Sequence, residues 1–187
     1  MPMNNVVGPG ETALIGTGTI PIPITALVRG TVPPTLVQVS PYDGYAYTVG
    51  DDSALSVILP LDWIPGSDLT LRWRWACNET YAAASGVVRW LARGTAITCD
   101  RTNQVGVGRT TGRLTGDIRV PVAARRQRED SLVIAVGDSL QAGDTLGILL
   151  QRILSTTGVT PVQEPEIYCV WVEYPNYLPW GSCLLNP

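Results

Sequence analysis

The sequence predicts an all-β fold: a jelly-roll-like, two-sheet antiparallel sandwich with extended N- and C-terminal arms. Three observations lead there. Short β-type runs recur between turn signals, helical periodicity is weak throughout, and 19 Gly and 15 Pro in 187 residues leave little room for long helices. Runs at this spacing suit a sandwich or a barrel. An immunoglobulin-like sandwich is the next choice, but its Cys-Trp-Cys arrangement fits poorly.

Taken in order, residues 1–18 (MPMNNVVGPGETALIGTG) are broken by Gly and Pro and show no period. They read as an arm with apolar anchors Val6, Val7, Leu14 and Ile15. Burying an anchor contributes about 1.5–3 kcal/mol, whereas ordering the backbone costs about 1–2 kcal/mol per residue. Four anchors cannot offset that cost, so the arm is expected to dock on another chain and to touch its own body little.

The sandwich domain is expected over residues 19–174. It opens with TIPIPITALV (19–28), whose prolines confine it to a sheet edge or to exchange with a neighbour. TLVQVS (35–40), YAYTV (45–49) and ALSVILPL (54–61) follow. DLTLRWRWA (68–76) and GVVRWLARGTAIT (86–98) are expected to pair as a long antiparallel hairpin. DIRVPVA (117–123), SLVIAV (131–136), DTLGILLQRIL (144–154) and EIYCVWVEY (166–174) complete the body. AARRQRED (123–130) is the one place for a short helix. GVGRTTGRLTG (106–116) lacks the following helix and the lysine of a phosphate-cradling loop, and reads as a mobile or interface loop. Residues 175–187, with Tyr177 and Trp180, form the C-terminal tail.

The RWRW stretch poses the functional question. By the two-residue strand period, Trp73 and Trp75 share one face, and Arg72 and Arg74 the other. Trp90 and Arg89 separate in the same way in the next run. A stacking platform for bases needs aromatics and cations on one exposed face. The alternation instead predicts tryptophans in the core and arginines at the solvent or subunit face, where arginine is enriched.

Composition removes several chemistries. His is absent, as are a histidine triad and histidine metal ligands. Every basic residue is Arg, so there is neither a Walker nor a Schiff-base lysine. Cys77, Cys99, Cys169 and Cys183 lack zinc-ligand spacing and are expected to be reduced. No carboxylate pair stands out for glycoside hydrolysis. The expectation is a non-enzyme with no cofactor and no metal. A net charge of −3 points neither to direct nucleic-acid binding nor to an anionic membrane. Residues 1–20 lack the features of a signal peptide, and no apolar run is long enough for a membrane helix.

One pattern runs through residues 60–174: Trp63 and Pro65 in a turn, then Ser85, Gly86, Val88 and Trp90. Gly143, Asp144, Leu146, Ile148, Leu150 and Arg152 follow, and Val170, Val172, Glu173 and Tyr174 close it. This order resembles β-rich structural proteins of tailed phages and prophages, of the capsid decoration or cement type. The resemblance implies a virion part without catalytic residues and leaves open which part; the expected place is the capsid surface, after synthesis in the host cytoplasm. The first expectation is a capsid cement protein, a homotrimer that bridges subunits of the major capsid protein of the same virus. Its assembly interface would draw on Val6, Val7, Leu14, Ile15, Arg72, Arg74, Arg89, Tyr177 and Trp180. The alternatives are a single jelly-roll major capsid protein of a tailless virus, and a carbohydrate- or receptor-binding module of a virion appendage. The last would expose aromatics such as Tyr42, Tyr45 and Tyr47.

Overall fold

A computed structural model describes residues 15–39, 42–80, 86–99, 105–134 and 140–177. Val6, Val7, Leu14 and Trp180 lie outside these residues. The elements are β1 (Ile15–Ile22), a 3-10 turn (Ile24–Ala26), β2 (Val28–Arg29), β3 (Thr35–Val39), β4 (Tyr42–Ala46), β5 (Asp52–Ile58) and β6 (Leu69–Cys77). After them come β7 (Val87–Cys99), β8 (Val105–Leu114), β9 (Ile118–Arg119), β10 (Arg128–Ile134), β11 (Thr145–Ile153) and β12 (Pro165–Tyr177). The front sheet runs β10-β6-β12-β4-β3, with β1 also on β12. The back sheet runs β2-β5-β11-β7-β8, with β9 on β7. The strand pairings are antiparallel, and the fold is the jelly-roll-like two-sheet sandwich that the sequence predicts.

Alternation builds the core. Leu69, Leu71, Trp73 and Trp75 of β6 are fully buried, as are Ile167, Val170 and Val172 of β12. The back sheet answers with Leu55, Val57, Val88, Trp90, Ala92, Leu146, Ile148 and Leu150. Trp90 is the hub: the rings of Tyr47, Trp73 and Trp75 meet it edge-on at 5.4, 5.9 and 6.3 Å, a geometry favoured by the aromatic quadrupole.

The expected hairpin of 68–76 with 86–98 does not form. β6 lies between β10 and β12, whereas β7 lies between β11 and β8 in the other sheet. The tryptophans are buried as expected, but they meet across the sandwich and not along one sheet face. Two more expectations are corrected. Residues 106–116 supply most of a ten-residue strand, β8, paired with β7; ladder hydrogen bonds outweigh the strand-weakening glycines there. The one place left for a short helix, 123–130, is instead a turn, with Arg125 at φ 57°, and then the start of β10 at Arg128.

The expected arm boundaries fall inside strands. Ile15 to Gly18 pair with Tyr177 to Tyr174, so this part of the arm belongs to its own body. Gly18 makes that pairing possible, because a Cβ there would lie 2.1 Å from Cζ of Tyr174. The W-x-P turn locks the same corner: Ile64 N–H donates to the Pro175 carbonyl at 3.1 Å, and the Asp62 carboxylate accepts from Tyr174 Oη at 3.2 Å and Asn176 Nδ2 at 3.0 Å.

Candidate functional site

The outer face of the front sheet carries a second, different tryptophan site. Outward positions are Glu129, Ser131 and Val133 on β10, Thr70, Arg72 and Arg74 on β6, Cys169, Trp171 and Glu173 on β12, and Thr19 and Pro21 on β1. Register sets Ser131, Arg72, Trp171 and Pro21 in one row across four strands. Val133, Thr70, Glu173 and Thr19 form the adjacent row.

A bulge puts Trp171 there. The register of β12 against β6 shifts between Ile167 and Cys169, with Tyr168 as the extra residue. Ile167 points inward; strict alternation would send Cys169, Trp171 and Glu173 inward after it. The bulge inverts the phase, so Val170 and Val172 enter the core and Trp171 faces out. The Tyr168 hydroxyl donates to the Glu166 carboxylate, and burial together with that bond raises the phenol above its ordinary range.

Five side chains then close a ring. Trp171 Nε1–H donates to Glu173 Oε1 at 3.2 Å. Arg72 Nε donates to Glu173 Oε2 at 2.7 Å, and its Nη1 donates to Glu129 Oε1 at 3.1 Å. Arg74 Nε donates to Glu129 Oε2 at 3.1 Å. The Arg74 guanidinium returns to the start, with Cζ 5.2 Å from the centroid of the Trp171 ring. The hydrogen bond it donates to Glu173, more than any other influence, holds the Arg72 guanidinium even more firmly protonated than usual.

The members of this ring are partly exposed: 34% for the Arg72 side chain, 36% for Glu129, 27% for Glu173 and 52% for Arg74. Ion pairs this wet contribute about 0–1 kcal/mol each. The ring therefore adds little to stability; its effect is to fix the orientation of the indole. Beside it, Thr19, Pro21, Pro23, Arg74, Cys169 and Trp171 border a shallow depression of about 420 Å³.

Of the interface residues expected from sequence, the structure unites Arg72 and Arg74. Arg89 lies on the other sheet and donates from Nε to the Thr115 carbonyl at 3.2 Å. Ile15 and Tyr177 are Cα partners at the end of the β1–β12 ladder, 67% and 50% exposed. Among the tyrosines expected on an open surface, Tyr47 is a correction: it is fully buried and donates to Ser53 Oγ at 2.8 Å. Tyr45 packs half-buried against the core. Sequence reasoning missed Trp171 altogether and did not connect Glu129, part of the charge run 125–130, with the arginines of β6. The signal was the pair of valines flanking Trp171, which share the phase opposite to Glu173.

Elsewhere the polar clusters hold the scaffold. Arg152 is buried and donates to the Tyr47 carbonyl. The Asp117 carboxylate accepts from the hydroxyls and backbone N–H groups of Thr156 and Thr157, which hold it well below the usual carboxylate range. Among the described residues, no group of three or more His, Cys, Asp or Glu is arranged to hold a metal, and no helix is long and apolar enough to cross a membrane.

No protein-family profile and no curated protein matches the sequence. Solved structures do resemble the fold. A family 35 carbohydrate-binding module from Clostridium thermocellum matches with TM-score 0.48 and 17% identity, over 83% of this chain and 97% of that one. The CBM36-1 domain of a multidomain xylanase from the hindgut metagenome of Trinervitermes trinervoides matches with TM-score 0.46 and 10% identity, over 84% and 96%. The enzymatically active domain of tailspike protein 4 from bacteriophage CBA120 matches with TM-score 0.35 and 15% identity, over 88% of this chain and 19% of that one. Likeness at this level concerns the sandwich and carries no argument about a ligand.

Proposed function

We propose that this protein is a non-catalytic carbohydrate- or receptor-binding module, with its ligand on the outer face around Trp171. The observation that carries the reading is the closed ring of Trp171, Glu173, Arg72, Glu129 and Arg74 beside an open depression. An indole held in one orientation offers a flat apolar surface to the C–H face of a sugar. Guanidinium donors and carboxylate acceptors around it match the hydroxyls at the edge of that sugar. A few convergent polar groups at an apolar surface are what a small-molecule site requires. The motif resemblance over residues 60–174 would make it a module of a virion part.

A capsid decoration role is the second reading, and one observation favours it. Ile15 and Tyr177 are exposed neighbours at one corner, so residues 1–14 and 178–187 continue from the same place. Arms from one corner suit a clamp on a neighbouring capsid subunit, within a homotrimer. Two measurements separate the readings. The first is glycan-array binding by the wild type and Trp171→Ala. The second is occupancy of purified capsids by the full chain and by a chain lacking residues 2–14. Glycan binding lost in Trp171→Ala supports the module; arm-dependent capsid binding without glycan binding replaces it with the clamp.

A further inference from the structure

We infer that the ligand of the Trp171 face is a neutral saccharide, recognised through a pair of neighbouring hydroxyls, and not an acidic glycan. This inference rests on the binding-module reading and names the ligand class for that same site.

The argument is one of charge balance at the site. An acidic sugar is usually held by a guanidinium whose fork is free to take the carboxylate on both nitrogens. Here each arginine of the face already spends its Nε on a glutamate, and Arg72 gives an Nη1 bond as well. Two guanidinium groups face two carboxylates inside the ring. Beyond it on the same face, Glu166 bonds Tyr168, while the Arg128–Asp130 pair lies on the opposite phase of β10. The face thus sets Arg72 and Arg74 against the carboxylates of Glu129, Glu173 and Glu166, and the whole chain carries −3. An incoming carboxylate finds no unbalanced positive charge. It must also approach Glu129 and Glu173, which stand beside the arginines.

The same arrangement suits a diol. Donors and acceptors alternate around the ring, so one hydroxyl can accept from a guanidinium N–H while its neighbour donates to a carboxylate oxygen. No ion pair need break. The apolar border supplied by Pro21, Pro23 and Trp171 takes the C–H face of the sugar ring and has no use for charge.

Binding of the full chain is measured by isothermal titration and affinity electrophoresis against two sets of probes. The neutral set is xylan, mixed-linkage β-glucan, galactan and mannan; the acidic set is polygalacturonate, alginate and hyaluronan. The expected result is binding to at least one neutral probe, changing less than about twofold between low salt and about 0.5 M NaCl. Trp171→Ala should weaken it by about tenfold or more, and Glu173→Gln by a smaller factor, with circular dichroism and thermal midpoint close to wild type. Binding confined to acidic probes and abolished by salt overturns the neutral class while leaving the Trp171 site in place, provided Trp171→Ala removes it. Binding to no probe, or binding that Trp171→Ala leaves intact, overturns the site reading as well. If Trp171→Ala fails to fold, Arg74→Met and Glu129→Gln carry the same comparison.

Discussion

The interior between the sheets and the outer face of the front sheet use tryptophan in opposite ways. Inside, Trp63, Trp73 and Trp90 are buried with their indole N–H groups unpartnered among the described residues, whereas Trp75 donates to Asp130 Oδ2 at 2.6 Å. Outside, the Trp171 N–H is paired with Glu173 and its ring carries a guanidinium. An unmade buried hydrogen bond costs about 1–3 kcal/mol. Burying a ring of 150–250 Å² at roughly 25 cal/mol per Å² returns more than that, so the interior accepts tryptophan for its bulk. Trp171 is only partly buried, and its polar atom is organised as well. The interior residues hold the fold together; Trp171 is held in place by its neighbours.

Four experiments would break or sharpen this contrast. The largest effect should come from Trp90→Ala. It removes the hub that touches Tyr47, Trp73 and Trp75, and should cost about 3–5 kcal/mol in urea unfolding. A loss no larger than that of Trp171→Ala would end the distinction between the two regions.

Next comes alkaline pH. Burial, followed by the nearby Glu79 charge, pushes the Cys77 thiol up from 9.0 to about 11. The folded state thus holds this proton where the unfolded chain has released it. Its contribution to stability is complete below about pH 9 and is lost as pH rises through about 11. A rise of that size corresponds to about 2–3 kcal/mol. Unfolding midpoints between about pH 8 and about pH 11 should fall less steeply in Cys77→Ala than in the wild type. Equal slopes would show that the thiol titrates normally.

A smaller effect compares two interior tryptophans. Trp75→Phe strips Asp130 of its indole donor, whereas Trp73→Phe deletes an N–H that has no partner among the described residues. Trp75→Phe should cost about 1 kcal/mol more than Trp73→Phe. The reverse order would mean that the hydrogen bond to Asp130 contributes nothing.

The smallest effect on stability should come from the outer face. Arg72→Met should change the unfolding free energy by less than about 1 kcal/mol, and Trp171→Ala should cost less than Trp90→Ala. Arg72→Met should still alter the fluorescence anisotropy of the outer indole, measured in a Trp-reduced background. A large stability loss would make the ring a structural brace.

Much of the fold is legible in the sequence. The two-residue period marks β6, the first half of β7 and β11, and it sorts Trp73, Trp75 and Trp90 from Arg72, Arg74 and Arg89 correctly. The motif residues of 60–174 fall largely on scaffold positions: Trp63 in a locked corner, Arg152 under Tyr47, and Gly143 at φ 90° in the turn before β11. The candidate site is less legible. Glu173 belongs to the motif over residues 60–174, and Arg72 and Arg74 to the expected interface. Trp171 is hidden because counting outward from Ile167 gives the wrong phase across the bulge.

The sequence by itself determined what is local: strands instead of helices, the turns that separate them, and which residues of a strand share a face. These follow from the alternation of side chains along one extended backbone and from the φ preferences of Gly and Pro. Tertiary structure alone decided the rest: that β6 and β7 oppose each other across the core, that β8 is a strand, and that β12 bulges at Tyr168. The ring around Trp171 joins Arg72 to residues 57 and 101 positions away. Such contacts depend on strand register, and register is set by the partner strand and the packed core, which no single stretch of chain encodes.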